Sequence, residues 1–158
     1  MTNVTIRELT ARDRAAWAQM RAALWPEESL DAHQSAIDEI LGDPDYWGFI
    51  ARREDGASLG FAEVALRKYA NGCDSRPVPF LEGIWVAPAA RRQGIGKRLV
   101  ARIEAFLAEK GFREIGSDTP LDNRASQDAH RGWGFAETER VVYFRKGLAG
   151  GRPDEPAE

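Results

Sequence analysis

An apolar strand that runs into a proline, two arginines and two glycines, and from there into an amphipathic helix, constrains this chain more than any other feature. The segment reads Ile84-Trp85-Val86-Ala87-Pro88-Ala89-Ala90-Arg91-Arg92-Gln93-Gly94-Ile95-Gly96-Lys97. Behind it, Ile95, Leu99, Ile103, Phe106 and Leu107 keep helical spacing, and Gly111 is expected as the C′ residue that closes the helix. A strand–turn–helix of this kind leaves free backbone N–H groups at the positive end of a helix dipole. Gly94 and Gly96 let a phosphate approach the main chain, while Arg91, Arg92 and Lys97 bring charge that a diphosphate can use. Two common phosphate motifs do not fit. A Walker A loop needs glycine where Arg91 stands and Ser or Thr where Arg98 stands, and a dinucleotide fingerprint needs a small residue at Leu99.

The remaining pattern surrounds this segment with further strands and helices. Val4–Leu9, then Trp47–Arg53 and Ser58–Arg67 around the turn Glu54-Asp55-Gly56, are expected as strands, followed by Val78–Val86, the short Glu114–Asp118 and a last strand Phe135–Arg145. Asp13 is expected to cap a helix carrying Trp17, Met20 and Leu24 that stops near Trp25-Pro26. Helices are also predicted over Asp31–Leu41, ending at Gly42, and over Asn123–Trp133. This order describes one α/β (α+β) domain over residues 1–146, a central mixed, mostly antiparallel sheet flanked by helices. Residues 147–158, rich in glycine, proline and charge, read as a mobile tail.

Composition removes several classes of function. With 22 Lys and Arg against 25 Asp and Glu, the net charge of −3 lacks the basic surplus of a nucleic-acid binder. Cys73 is the single cysteine, no CxxC or Cys/His cluster exists for a metal, and no base stands beside Cys73 to make it a nucleophile. No apolar run approaches the roughly 20 residues of a membrane helix. The start Met1-Thr2-Asn3-Val4-Thr5-Ile6-Arg7-Glu8 has neither a basic nor an apolar leader region, so a cytoplasmic protein is expected.

The pattern Arg91-x-x-Gly94-x-Gly96 resembles the acetyl-CoA pyrophosphate loop of the GNAT superfamily of N-acetyltransferases. Asn123, His130 and Gly134-Phe135 match the spacing found near that family's fourth helix. Strings outside the cofactor signature, Leu24-Trp25-Pro26, Asn71-Gly72-Cys73-Asp74-Ser75, Phe80-Leu81-Glu82-Gly83-Ile84, Ser117-Asp118-Thr119 and Glu137-Thr138-Glu139-Arg140-Val141, look like the aminoglycoside 6′-N-acetyltransferases of type I. The resemblance implies the GNAT fold, acetyl-CoA as cosubstrate, a polycationic aminoglycoside as acceptor, direct attack of its 6′-amine in a ternary complex, antibiotic resistance as the consequence and a homodimer. It assigns the cofactor to Ile84, Trp85 and Val86, to Arg91, Arg92, Gln93, Gly94, Ile95, Gly96 and Lys97, and to Asn123. Neither a metal, nor a nucleic acid, nor a membrane is implied.

The candidate site residues each carry two readings. Glu82 interrupts the apolar strand Val78–Val86, and strict alternation would put it on one face with Phe80, Ile84 and Val86. A carboxylate there needs a cation beside it to stay charged, or else it merely solubilises an exposed face. By resemblance it binds a substrate ammonium and accepts a proton from the attacking amine. Asp118, at a strand end, borders a ligand crevice or caps the next helix. Glu139, with Glu137 on the same face, suits a polyamine or marks a charged edge strand. Trp25 and Tyr69 flank the sugar rings by resemblance, or pack in the core. His130 stands where many family members carry a tyrosine that protonates the CoA thiolate, and an imidazole can do this, although a helical histidine is often plain packing. Tyr143 is a second candidate proton donor. Two alternative functions remain at this level: the same fold acetylating another amine (a polyamine, a small metabolite or a protein N-terminus), and a non-catalytic acyl-CoA-binding module.

Overall fold

The computed structural model describes residues 3–150. Five strands, β1 (Val4–Glu8), β2 (Tyr46–Arg53), β3 (Ser58–Arg67), β4 (Val78–Val86) and β5 (Gly116–Ser117), form one sheet in chain order. The first three pairings are antiparallel and β4–β5 is parallel. Helices α1 (Arg14–Leu24) and α2 (Leu30–Leu41) precede β2, α3 (Ile95–Glu109) joins β4 to β5, and α4 (Arg124–Gly132) follows.

Strand alternation divides the core into two layers. On one face Ile50 and Phe61 meet Trp17, Met20 and Ile37 from α1 and α2. On the other, Phe49, Ala62, Val64 and Leu81 meet Ile95, Leu99, Ile103 and Leu107 along a single stripe of α3. The helix ends follow from their sequences. Ser29 Oγ accepts from the Ala32 amide at 3.1 Å to start α2, and after α3 Gly111 takes φ +87° while the Phe112 amide returns to the Leu107 carbonyl, as a left-handed C′ glycine requires.

Asp13 precedes α1 as expected but does not cap it. Its buried carboxylate accepts the Thr10 amide at 2.9 Å and both arms of the Arg7 fork at 2.7 and 2.8 Å. The Arg7 hydrogen bonds pull the Asp13 carboxyl down to about 2. A depressed carboxyl stabilises the fold fully above the unfolded value near about 4, and this contribution fades as pH falls towards the folded value. Asp13→Asn should therefore cost about 2 kcal/mol at neutral pH in urea unfolding. Parent and variant should converge in stability as the pH approaches that of the folded carboxyl.

Two expected strands are altered. Residues 135–148 run without strand pairing, although Val141 and Tyr143 alternate like a strand. Val142, Tyr143 and Phe144 stand 71%, 77% and 93% exposed. The expected Glu114–Asp118 strand shrinks to two residues. Glu114 is drawn instead to the loop after β3, where it accepts from the amides of Asp74 and Ser75. Residues 147–150 of the expected tail carry no helix or strand, and the rest of that tail lies outside the described residues.

Candidate active site

The site is built where β4 parts from its neighbours. Along β3, Glu63 faces Gly83 and the next residue, Val64, faces Leu81, so Glu82 is an extra residue in a β-bulge. The bulge re-phases the strand. Leu81, Ile84 and Val86 pack with the α3 core, whereas Trp85 joins the α1–α2 side and a Cβ on Gly83 would strike the Trp25 indole at 2.5 Å. Glu82 points to this second side, into a cleft with Trp25 and Tyr46. The expectation that Glu82 shares a face with Ile84 and Val86 is thus corrected, because alternation cannot anticipate a bulge.

Strand β5 pairs only with Phe80 and Leu81. From Glu82 to Val86, among the described residues, the edge of β4 that faces β5 has no strand partner, which leaves backbone hydrogen-bonding capacity for an extended ligand beside Ile84, Trp85 and Val86. The edge leads directly into the glycine turn. There the Arg91 Nε donates to the Val86 carbonyl at 2.9 Å and the Gln93 amide to the Ala89 carbonyl at 3.2 Å, so both side chains brace the turn. Arg92 and Gly94 both adopt left-handed φ, +61° and +79°. The Arg98 amide is bonded to the Gly94 carbonyl at 3.0 Å, so the amides of Ile95, Gly96 and Lys97 form the unsatisfied first turn. A Cβ on Gly94 would meet nothing within 4 Å, so the turn is open beside this residue. That combination suits a diphosphate. Gly96 serves another purpose as well: a Cβ there would lie 2.9 Å from the Trp133 ring, so its glycine is needed to seat α4 on α3.

Asn123 caps α4, its Oδ1 accepting from the Ser126 amide at 3.1 Å, which settles the alternative reading of Asp118 as the cap. His130 lies between α4 and β5. Its Nδ1 is 2.7 Å from the Ser126 carbonyl, which can only accept, so Nδ1 carries a hydrogen. The Nε2 is 2.7 Å from Ser117 Oγ and in the neutral ring accepts from that hydroxyl. Trp133 and Phe135 pack around the ring at 5.2 Å. Ser117, adjacent to Asp118, escaped the sequence reading because nothing in the chain order joins it to His130.

The substrate candidates line two adjoining clefts. The first, about 360 Å³, is lined by Arg67, Tyr69, Phe80, Ser117, Asp118 and Tyr143 among others. The second, about 330 Å³, is lined by Arg21, Trp25, Glu27, Glu28, His33, Tyr46 and Glu82. Glu139 is close to the loop after β3, its Oε1 3.6 Å from the position of a Cβ on Gly72. Glu137 does not pair with it: Glu137 accepts from Arg131 and Arg140, and the segment is not a strand. Beneath the second cleft, fully buried Glu63 accepts from Arg21, from Tyr46 at 2.7 Å and from Trp17 at 3.3 Å. Burial, reinforced by the Glu63 carboxylate, pushes the Tyr46 phenol far above its ordinary range. Burial also raises the Cys73 thiol, in keeping with an unreactive cysteine. Among the described residues no group of three or more His, Cys, Asp or Glu could hold a metal ion.

The model of the Acetyltransferase (GNAT) family matches residues 14–135, from α1 through α4. The chain belongs to the GNAT acetyltransferase family. Within GNAT, the chain is similar to the "Aminoglycoside N(6')-acetyltransferase type 1" of Serratia marcescens, 51% identical over 84% of this chain and 92% of the relative. A protein of the same name from Salmonella typhimurium is 44% identical over 89% and 97%. Among solved GNAT structures, AAC(6')-Iy in complex with the bisubstrate analog CoA-S-monomethyl-acetylneamine superposes with a TM-score of 0.87 at 42% identity, covering 92% of this chain and 99% of that one. AAC(6')-Iy in complex with CoA gives 0.89 at 41%, covering 94% and 97%. The sheet that parts between β4 and β5 above the glycine turn is thus the GNAT fold expected from the sequence.

Proposed function

We propose that this acetyltransferase moves the acetyl group of acetyl-CoA to the 6′-amine of an aminoglycoside, by direct attack within a ternary complex. The observation that carries this reading is the meeting, at one point of β4, of an unpaired strand edge running into an open helix N-terminus and two clefts lined by carboxylates. Relatives named for that activity, matched over most of both chains, support the substrate class. In this reading the amides of the Gly94 turn bind the diphosphate and the free edge at Ile84–Val86 holds the pantetheine arm and polarises the thioester carbonyl. Glu82 takes the substrate ammonium and receives its proton, while Asp118, Glu139, Trp25 and Tyr69 hold the rest of the drug. Tyr143 and His130 are the candidate donors to the departing thiolate; His130 can pass a proton through Ser117 only as the imidazolium, whose Nε2–H donates to Ser117 Oγ while that hydroxyl gives its own hydrogen to the sulfur. Rate comes from positioning two substrates rather than from a covalent intermediate.

The same reading includes a homodimer, a cytoplasmic setting, resistance as the outcome and a catalytic domain that ends near residue 146. The exposed apolar run Val142, Tyr143 and Phe144, together with Leu148 at 82% exposed, is a surface that a second copy could cover.

Thiol release from acetyl-CoA, followed with a panel of amines, tests the reading. Release with kanamycin or tobramycin is expected. Release with other amines alone would replace the substrate class, and binding without any release would leave a non-catalytic module. Gly94→Val should weaken coenzyme A binding by at least about tenfold, since a branched side chain at positive φ stands where the phosphate must lie. Calorimetry with coenzyme A reads this directly.

A further inference from the structure

Alternation along β3 puts Phe61, Glu63, Ala65 and Arg67 on the face that bears α1 and α2. Arg67 is the last residue of that strand, and it reaches across to the bulge. Its Nε donates to Glu82 Oε1 at 2.8 Å and its Nη2 to Oε2 at 2.7 Å, a two-armed pair that occupies both carboxylate oxygens. The guanidinium lies over the Phe80 ring at 3.6 Å. Arg67 lines the first cleft and Glu82 the second. The ion pair is therefore the partition between them, with Tyr69, Asp118 and Tyr143 on one side and Trp25 and Glu82 on the other.

We propose that Arg67 is the resident counter-cation of Glu82, that a substrate ammonium must displace it, and that it thereby determines which amines the enzyme accepts. The inference rests on the aminoglycoside reading above and deepens it. A molecule that touches the candidate residues of both clefts has to open the partition. The two partners are unequally anchored: the Glu82 side chain is 22% exposed and the Arg67 side chain 40%, so the guanidinium is the more readily displaced into solvent. Glu82 is also the principal cause of the raised Arg67 pKa, with Asp118 adding to it, so both carboxylates attract the cation that the substrate must replace. A single ammonium is a point charge competing against a planar fork with two parallel donors. A monoamine meets that competition alone. A polycation engages Asp118 and further carboxylates at the same time, and those contacts offset the displacement. Arg67 thus selects for multiply charged amines by making the first contact costly.

Calorimetric titration of tobramycin and of a monoamino sugar into the coenzyme A-bound protein, with kcat from thiol release, tests this. In Arg67→Gln, tobramycin affinity should rise about fivefold, the scale of one partly exposed ion pair. The monoamino sugar should gain more, and coenzyme A affinity should stay at the parent value. In a Glu82→Gln background the same substitution should raise tobramycin affinity by clearly less than in the parent, because only the repulsion between guanidinium and substrate is left to relieve. Arg67→Lys, which keeps the charge and loses the fork, should fall between parent and Arg67→Gln. Weaker binding with lowered kcat in Arg67→Gln would overturn the proposal and make Arg67 a fixed support for Glu82. An equal gain in the Glu82→Gln background would overturn it too, as a general charge effect. A parent protein that releases no thiol with any aminoglycoside, yet does so with other amines, would instead remove the substrate reading on which the proposal stands.

Discussion

Glu82→Gln is expected to lower turnover about a hundredfold to ten-thousandfold, the range for losing a positioned general base, with coenzyme A affinity unchanged. Glutamine keeps the size of the side chain and one acceptor for Arg67, so the bulge and the β3–β4 pairing should persist. It cannot take a proton from an ammonium or hold one by charge. It also leaves the Arg67 guanidinium with half its partner, at a point where the substrate brings positive charge, so KM for the aminoglycoside should rise as kcat falls. The glycine turn does not share these contacts: its braces are the Arg91 bond to Val86 and the Gln93 bond to Ala89. Thiol-release kinetics alongside coenzyme A calorimetry separate the two effects. A variant that turns over at the parent rate would remove Glu82 from the reacting amine, and a parallel loss of coenzyme A binding would show that the bulge itself had been disturbed.

What the chain disclosed about itself depended on how local each feature is. The helices read correctly because apolar spacing and closing glycines lie within a few residues of each other, as at Gly111. The strand–turn–helix around Gly94 read correctly for the same reason. Strand pairing is not local, and there the sequence misled. Residues Phe135–Arg145 alternate like a strand, yet they pair with no strand among the described residues. The bulge at Glu82 depends on the register of β3 against β4, which no pattern within Val78–Val86 can reveal. Arg67 was invisible for a related reason, being fifteen residues from the carboxylate it holds. Glu63 is different, because its signal was available: an acidic residue inside the apolar strand Ser58–Arg67, the same anomaly that singled out Glu82.

Removing that buried carboxylate should have the largest effect on stability of any substitution considered. Glu63 is 0% exposed and Arg21 is 8% exposed, and each is the other's charge partner. Taking away one member of such a pair leaves an uncompensated buried charge, which costs about 3–5 kcal/mol. Glu63→Leu should therefore lose a large share of the roughly 5–15 kcal/mol available to a domain, read as a lower urea midpoint at unchanged slope. Removing both charges, as in Arg21→Met with Glu63→Leu, should recover part of the loss: no charge is left stranded, while the Tyr46 hydroxyl and Trp17 Nε1 still lose their acceptor. The recovery should not extend to the second cleft. Arg21 lies 4.8 Å beneath the Trp25 ring and its Nε meets His33 Nδ1 at 3.3 Å, while His33 Nε2 holds the Trp25 carbonyl at 2.9 Å. The double variant keeps the core filled but deprives Trp25 of that support, so aminoglycoside affinity should remain weakened after stability has partly returned. If affinity recovers in step with stability, Trp25 owes its position to Phe61 and Gly83 alone, and the ionic cluster is a stabilising device without a part in the site.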